Sequence, residues 1–282
     1  MNRLAQNIER LMGVAPRHIT GLHGGSVSQV YRAQLGSEWV VIKVDSPEKL
    51  GIESQMLRYL GTQTALELPE VLVCEDGLLV MTYVENDGDS GAKAEDSAAA
   101  MLAGLHNIEA DAFGFEFDTL IGGLHQPNPW TKSWVEFFGE HRLRHMATEC
   151  SNHGQLGPRE IDAVEDLISK LPELLPAEST PRLIHGDLWG GNILFNQGRV
   201  AGLVDPAIYF ADAEIELAFS TLFSTFSPRF YKVYSELMPI AEGFWEWRKE
   251  LYNVYPLLVH VRLFGGSYRA QLMGSVSKLL RL

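Results

Sequence analysis

Asp187, Asn192 and Asp205 stand in the order carboxylate, amide five positions on, carboxylate thirteen further on. An ionised carboxylate can orient a hydroxyl and take its proton in the transition state. An amide oxygen and a second carboxylate are hard ligands of the kind Mg²⁺ accepts beside phosphate oxygens. Phosphoryl transfer uses that order: one Asp for the attacking hydroxyl, then an Asn and an Asp for the metal. Asp187 is therefore the candidate catalytic base, and Asn192 and Asp205 are the candidate metal ligands. Upstream, Lys43 lies in the β-rich run Val40-Val41-Ile42-Lys43-Val44, and a predicted helix carrying Glu53 follows. An ammonium on a flexible stem has to be oriented before it complements phosphate, and a Lys43–Glu53 ion pair would do that. Glu48, next to Pro47 in the connecting turn, is the poorer partner.

Gly24, Gly25 and Ser26 precede the Lys43 strand. They match neither G-x-G-x-x-G nor G-x-x-x-x-G-K-[ST]. Their backbone N–H groups could cradle phosphate oxygens, or the glycines could simply serve a hairpin that needs positive φ. Met81, Tyr83 and Val84 fall where a lobe connection would offer backbone groups to an adenine edge; the same residues also read as the last strand and a linker.

These groups need a scaffold. The opening residues predict a short helix, residues 27–35 and 39–44 two strands about a turn, 52–60 a helix, and 71–74 and 78–84 two further strands. Polar residues 86–96 predict a linker. Helices are predicted over 94–107, 133–149 and 158–171 and through most of the chain after 214, with an irregular loop over 113–130. The expected class is α+β: a small antiparallel-sheet lobe over 1–85, a linker over 86–96, and a mainly helical lobe over 97–282 holding the catalytic loop and acceptor site.

Twenty-three basic residues against 36 acidic ones give a net charge of −13. That balance argues against a nucleic-acid partner, which calls for clustered Lys and Arg. Cys74 and Cys150 are the only cysteines, without a C-x-x-C spacing, so neither a disulfide framework nor a structural zinc site is expected. No apolar run approaches the roughly 18 residues of a membrane span, and the first dozen residues do not read as a signal peptide. A cytoplasmic location is expected. The sequence leaves the oligomeric state open.

His185-Gly186-Asp187-Leu188-Trp189-Gly190-Gly191-Asn192, with Asp205-Pro206-Ala207-Ile208-Tyr209 and the acidic stretch Glu214-Ile215-Glu216-Leu217-Ala218, resembles the fructosamine kinase (ketosamine-3-kinase) family. Phe113-Gly114-Phe115, Asn128, Trp130, Trp134 and Arg142-Leu143 extend that resemblance over nearly the whole chain, with Gly190 where the family usually has Ser. The resemblance implies a protein-kinase-like bilobal fold, ATP and Mg²⁺ as cofactors, and phosphorylation of the 3-hydroxyl of a free or protein-bound ketosamine. The phosphorylated adduct then eliminates and frees the amine. It also implies acceptor-side roles for Trp189, Asn128, Trp130 and His260, although Trp189 reads equally well as a loop-packing aromatic. Aminoglycoside or choline kinases share the Asp-Asn-Asp order and are the alternative acceptor class; a nucleotide-binding pseudokinase is the non-enzymatic one. Only eight residues separate Asp205 from Glu214, too few for a long activation loop.

Overall fold

The computed structural model describes residues 2–22, 28–64 and 66–282. Gly24, Gly25 and Ser26 lie outside the described residues. In chain order the elements begin α1 (Asn2–Met12), β1 (Arg17–Gly21), β2 (Gln29–Leu35), β3 (Glu38–Val44), α2 (Pro47–Gln63), β4 (Val71–Glu75), β5 (Leu78–Thr82) and α3 (Ala92–His106). They continue with β6 (Thr119–Ile121), β7 (Leu124–Gln126), α4 (Trp134–Phe137), α5 (His145–Asn152), α6 (Pro158–Leu174), β8 (Arg182–Ile184), β9 (Ile193–Asn196), β10 (Arg199–Leu203) and β11 (Tyr209–Ala211). The last four are α7 (Glu214–Leu222), α8 (Pro228–Leu237), α9 (Lys249–Phe264) and α10 (Ser267–Leu279). π-helical turns at Phe138–Arg144 and Phe244–Arg248 lead into α5 and α9.

Two compact units divide the chain: Met1–Ser97 with Gly191–Pro206, and Ala98–Gly190 with Ala207–Leu282. The first unit is built on an antiparallel sheet in the order β1-β2-β3-β5-β4. Side chains alternate between the faces of a strand, so a central strand covered on both sides reads as a continuous apolar run. Leu78–Thr82 behaves in that way. Leu78 and Val80 pack with Val40, Ile42 and Ile8 of α1, whereas Leu79 and Met81 pack with Leu50 and Leu57 of α2. The same alternation puts Lys43, paired in register with Leu79, on the α2 side of the sheet.

Residues 191–206 join this unit through the β9–β10 hairpin, which is tied back by chain-to-chain bonds. Leu203 N–H donates to Glu67 O, Asp87 N–H to Phe195 O, and Val200 N–H to the Ser97 hydroxyl. Asn192 and Asp205 accordingly belong to the first unit and Asp187 to the second.

The second unit is mainly helical around buried Phe137, Phe138, Tyr209, Tyr234 and Tyr252. Besides the return of 191–206 to the first unit, several strands depart from the sequence reading. The expected irregular loop over 113–130 contains the β6–β7 hairpin, whose three-residue strands are too short to register as periodicity. β1 was not anticipated because its burial is mostly exposed, with only Ile19 packing inward against the α1 core. No helix among the described residues is long and apolar enough to cross a membrane.

Candidate active site

Lys43 is 7% exposed, and its ammonium reaches two carboxylates of its own unit: Glu53 at 2.5 Å, and Asp205. α2 makes the first contact possible. Ser46 caps it by accepting from Lys49 N–H, Pro47 opens its first turn, and Leu50, Leu57 and Leu60 form the buried stripe. Glu53 sits three residues past Leu50 and four before Leu57, so it shares the stripe that faces the sheet. Burial by itself would lower the Lys43 pKa. The Glu53 and Asp205 carboxylates outweigh it and hold the ammonium above its ordinary value. Lys43 is therefore charged throughout the physiological range.

Asp205 adopts φ +53°, a left-handed backbone that Asp tolerates better than most residues. One residue earlier, Val204 N–H donates to Asn192 O at 3.0 Å, so the backbone itself sets Asn192 beside the Asp205 turn. Asn192 is buried, and the Asp205 side chain is 40% exposed. The donor set fits magnesium, which takes one or two protein oxygens and completes its octahedron with phosphates and waters. Among the described residues no group of three or more His, Cys, Asp or Glu converges as an all-protein metal cage.

In the second unit, Asp187 follows β8, which pairs antiparallel with β11. The Asp187 loop is pinned from two directions. Ala207 N–H donates to His185 O at 2.8 Å. Glu216, 2% exposed on α7, accepts from His185 N–H at 3.1 Å and Gly186 N–H at 2.6 Å, and lies 2.9 Å from His106 Nε2. His106 Nδ1 in turn lies 2.7 Å from the Tyr234 hydroxyl. A buried carboxylate costs folding free energy unless its oxygens are satisfied, and here three donors satisfy it. Glu216 is a positioning residue that sequence reasoning did not single out. The available signal was an acidic residue inside the apolar run Ile215-Glu216-Leu217-Ala218-Phe219.

Gly186 has φ +83°, and a Cβ there would sit 2.1 Å from Ala207 O. Gly186→Ala should therefore lose at least the roughly 1–3 kcal/mol of a strained backbone position, and more from displacing the backbone of Ala207. Gly190, with nothing within 4 Å of its would-be Cβ, serves as the control. Thermal melts should show Gly190→Ala close to the parent and Gly186→Ala several degrees lower. Equal melts would mean that the close approach at Gly186 is not needed.

Asp187 lines a narrow cavity of about 30 Å³ with Ile121, Tyr209, Glu216, Phe219, Tyr255 and His260, a largely apolar setting for the Asp187 and Glu216 carboxylates. His260 thus shares a cavity with Asp187. Its ring also stands 5.0 Å from Phe223, which meets Trp189 edge-on at 6.1 Å. Trp189 is 37% exposed, so it is packed on one side and open on the other. Trp130 is 52% exposed and rests against Phe210. Asn128 is placed differently. It is 1% exposed, and its amide donates to Phe117 O and the Thr119 hydroxyl while accepting from Arg142 at 2.6 Å. Asn128 holds the buried Arg142 and presents no surface to an acceptor, so it drops out of the acceptor-side set.

His260 donates from Nδ1 to Pro256 O at 2.7 Å. Burial holds its pKa below the ordinary histidine value, and the Pro256 bond opposes this only in part. The unfolded chain takes the proton more readily, so this contribution to stability is full above the unfolded pKa of about 6.5 and is lost as pH falls through the lower folded value. His260→Gln should shrink the drop in melting temperature between about pH 7 and pH 5. His141 and His145, also held low by burial, will keep part of that slope. Identical slopes would remove His260 from the acid response.

Of the adenine-side candidates, Met81 is buried in the α2-side core. Tyr83 N–H donates to Trp39 O at 3.2 Å, and Val84 O accepts from Asn86 Nδ2 at 3.1 Å.

The fructosamine kinase profile matches residues 1–282. The chain belongs to the fructosamine kinase family. A protein of Synechocystis named a probable ketoamine kinase is 33% identical, the match covering 99% of this chain and 96% of that one. The chloroplastic protein-ribulosamine 3-kinase of Arabidopsis thaliana is 32% identical over 83% of this chain and 72% of its own. The crystal structure of a Thermobifida fusca protein carrying the fructosamine-3-kinase name superimposes with a TM-score of 0.89 at 29% identity, covering all of both chains. The α+β fold is thus the protein-kinase-like fold of this family.

Proposed function

We propose that this fructosamine kinase family member transfers the γ-phosphoryl group of ATP to the 3-hydroxyl of a ketosamine. The hydroxyl oxygen bonds to phosphorus, the bond to the β,γ-bridging oxygen breaks, ADP leaves, and the hydroxyl proton passes to Asp187. Lys43, held charged by Glu53, grips the α- and β-phosphates. Asn192 and Asp205 are the side chains that would hold Mg²⁺, which when bound neutralises the phosphate oxygens. The Glu216 carboxylate keeps the His185–Gly186 backbone in place so that Asp187 is presented in one orientation. Positioning and preorganised charge supply most of the rate gain in such a reaction.

The observation that carries this reading is the buried Lys43 ammonium joined to both Glu53 and Asp205, with Asn192 tied to the Asp205 turn. The names of the family relatives support a ketosamine acceptor, and the Arabidopsis relative's name supports the 3-position and a protein-bound sugar. The exposed face of Trp189, two residues after Asp187, offers a platform for the sugar ring. In this reading nucleotide belongs to residues 1–85 and the acceptor to the helical part of the chain, in a reducing cytoplasm that suits the two free cysteines.

The test is coupled ATP turnover against free and protein-bound fructosamines and ribulosamines, with aminoglycosides and choline as controls. Magnesium-dependent turnover confined to the ketosamines is expected. Turnover with aminoglycosides or choline instead would move the chain to that acceptor class. ATP binding without turnover on any arm would make it a pseudokinase.

A further inference from the structure

A second and larger cavity, about 580 Å³, opens in the helical unit and shares no lining residue with the Asp187 cavity. Its size falls within the roughly 300–1,000 Å³ usual for small-molecule sites. α8 turns one face toward it, since Pro228, Tyr231, Lys232 and Ser235 recur at the i, i+3, i+4, i+7 spacing of a single helical stripe. The opposite wall is Trp245 and Lys249, four residues apart where the π-helical turn enters α9.

Two features of this cavity point to one kind of ligand. First, the chain carries thirteen more acidic than basic residues, yet among the described residues neither Lys232 nor Lys249 is paired with a carboxylate. The Lys249 ammonium instead stands 5.7 Å from the centre of the Trp245 ring. Two ammonium groups in one concave site favour an anion, and as compact point charges they suit a phosphate. Secondly, Trp245 is 47% exposed, a large apolar ring left open at the cavity rim. Tyr231 meets it edge-on at 89° and 5.1 Å, so these two rings make no parallel sandwich for a nucleobase. One exposed face beside hydroxyls suits the C–H face of a sugar, whose own hydroxyls can trade hydrogen bonds with Ser224 and Ser235.

We propose that the α8–α9 cavity is a binding site for a phosphorylated sugar, with Lys232 and Lys249 holding the phosphate and Trp245 the ring. The site uses none of the residues assigned to phosphoryl transfer, so it stands or falls separately from the kinase reading.

Isothermal titration on the full chain carrying Asp187→Asn, without ATP so that no turnover consumes the ligand, tests it with glucose 6-phosphate, glucose, inorganic phosphate and AMP. Saturable binding of glucose 6-phosphate is expected, with glucose and inorganic phosphate each at least about tenfold weaker. Lys232→Gln with Lys249→Gln should weaken glucose 6-phosphate by about tenfold or more, and Trp245→Ala by several-fold. These residues are exposed or half-buried, and circular dichroism melts check that each variant folds. Four results would overturn the proposal: no saturable binding, the same affinity in the lysine variant, displacement of glucose 6-phosphate by a ketosamine, or AMP binding as tightly with the same dependence on the lysines and Trp245.

Discussion

Replacing Asp187 with asparagine should lower kcat by about 10²–10⁴-fold, the range that a positioned general base contributes. The substitution keeps size and hydrogen-bonding reach but cannot accept the proton, so the acceptor hydroxyl is oriented without being deprotonated. ATP affinity should hardly move, because the grip on the triphosphate is assigned to Lys43, Asn192 and Asp205. A fall in kcat and kcat/KM together, with ATP binding unchanged by titration, is the signature of an interaction made only in the transition state. Turnover within a few-fold of the parent would remove Asp187 from the reaction. The comparison is clean for a structural reason. The backbone groups of His185 and Gly186 that help to hold the Asp187 loop are left unaltered by the substitution.

Lys43→Met should do two separable things. It removes the cation from a buried cluster, leaving Glu53, whose side chain is 15% exposed, without its partner at 2.5 Å. Breaking a buried pair from one side commonly costs about 3–5 kcal/mol, because an uncompensated charge remains in a poorly solvated place. Activity should also collapse, since no other residue assigned here takes over the phosphates. Adding Glu53→Gln to Lys43→Met removes the stranded charge as well. The double variant should recover most of the stability lost by Lys43→Met while staying inactive. Chemical denaturation and initial rates measured on the same three proteins check both halves. If Lys43→Met alone retains parental stability, the pair is not a folding determinant; if the double variant regains turnover, Lys43 does not serve the phosphates.

Much of this site was legible because it is written in local patterns. A Lys in a β-rich run, an acid on the next helix and an Asp-Asn-Asp spacing are short-range features, and their types limit the chemistry they can do. The same locality explains the omissions. Glu216 is an acidic residue in an apolar stretch until the fold brings His185, Gly186 and His106 to it from 30 to 110 residues away along the chain. Asn128 matched a family position but not a role, since nothing local tells a buried amide cradling Arg142 from an exposed one reading a sugar. The β6–β7 hairpin and β1 escaped for a simpler reason. Strands of three residues, or strands mostly in water, leave too little alternation to detect.

By itself, the order of residues determined the reaction class and the family, and it supplied the proposed base, the two proposed metal ligands and the proposed phosphate-binding lysine. These follow from side-chain chemistry and spacing, which need no coordinates. Only the tertiary structure decided which unit each group belongs to, with 191–206 carried back to the first unit by the bonds of the β9–β10 hairpin. It also decided that Lys43 serves two carboxylates at once and that a buried Glu216 steadies the Asp187 loop. Such facts depend on desolvation and on long-range closure of hydrogen bonds, both of which come into being only when distant segments pack.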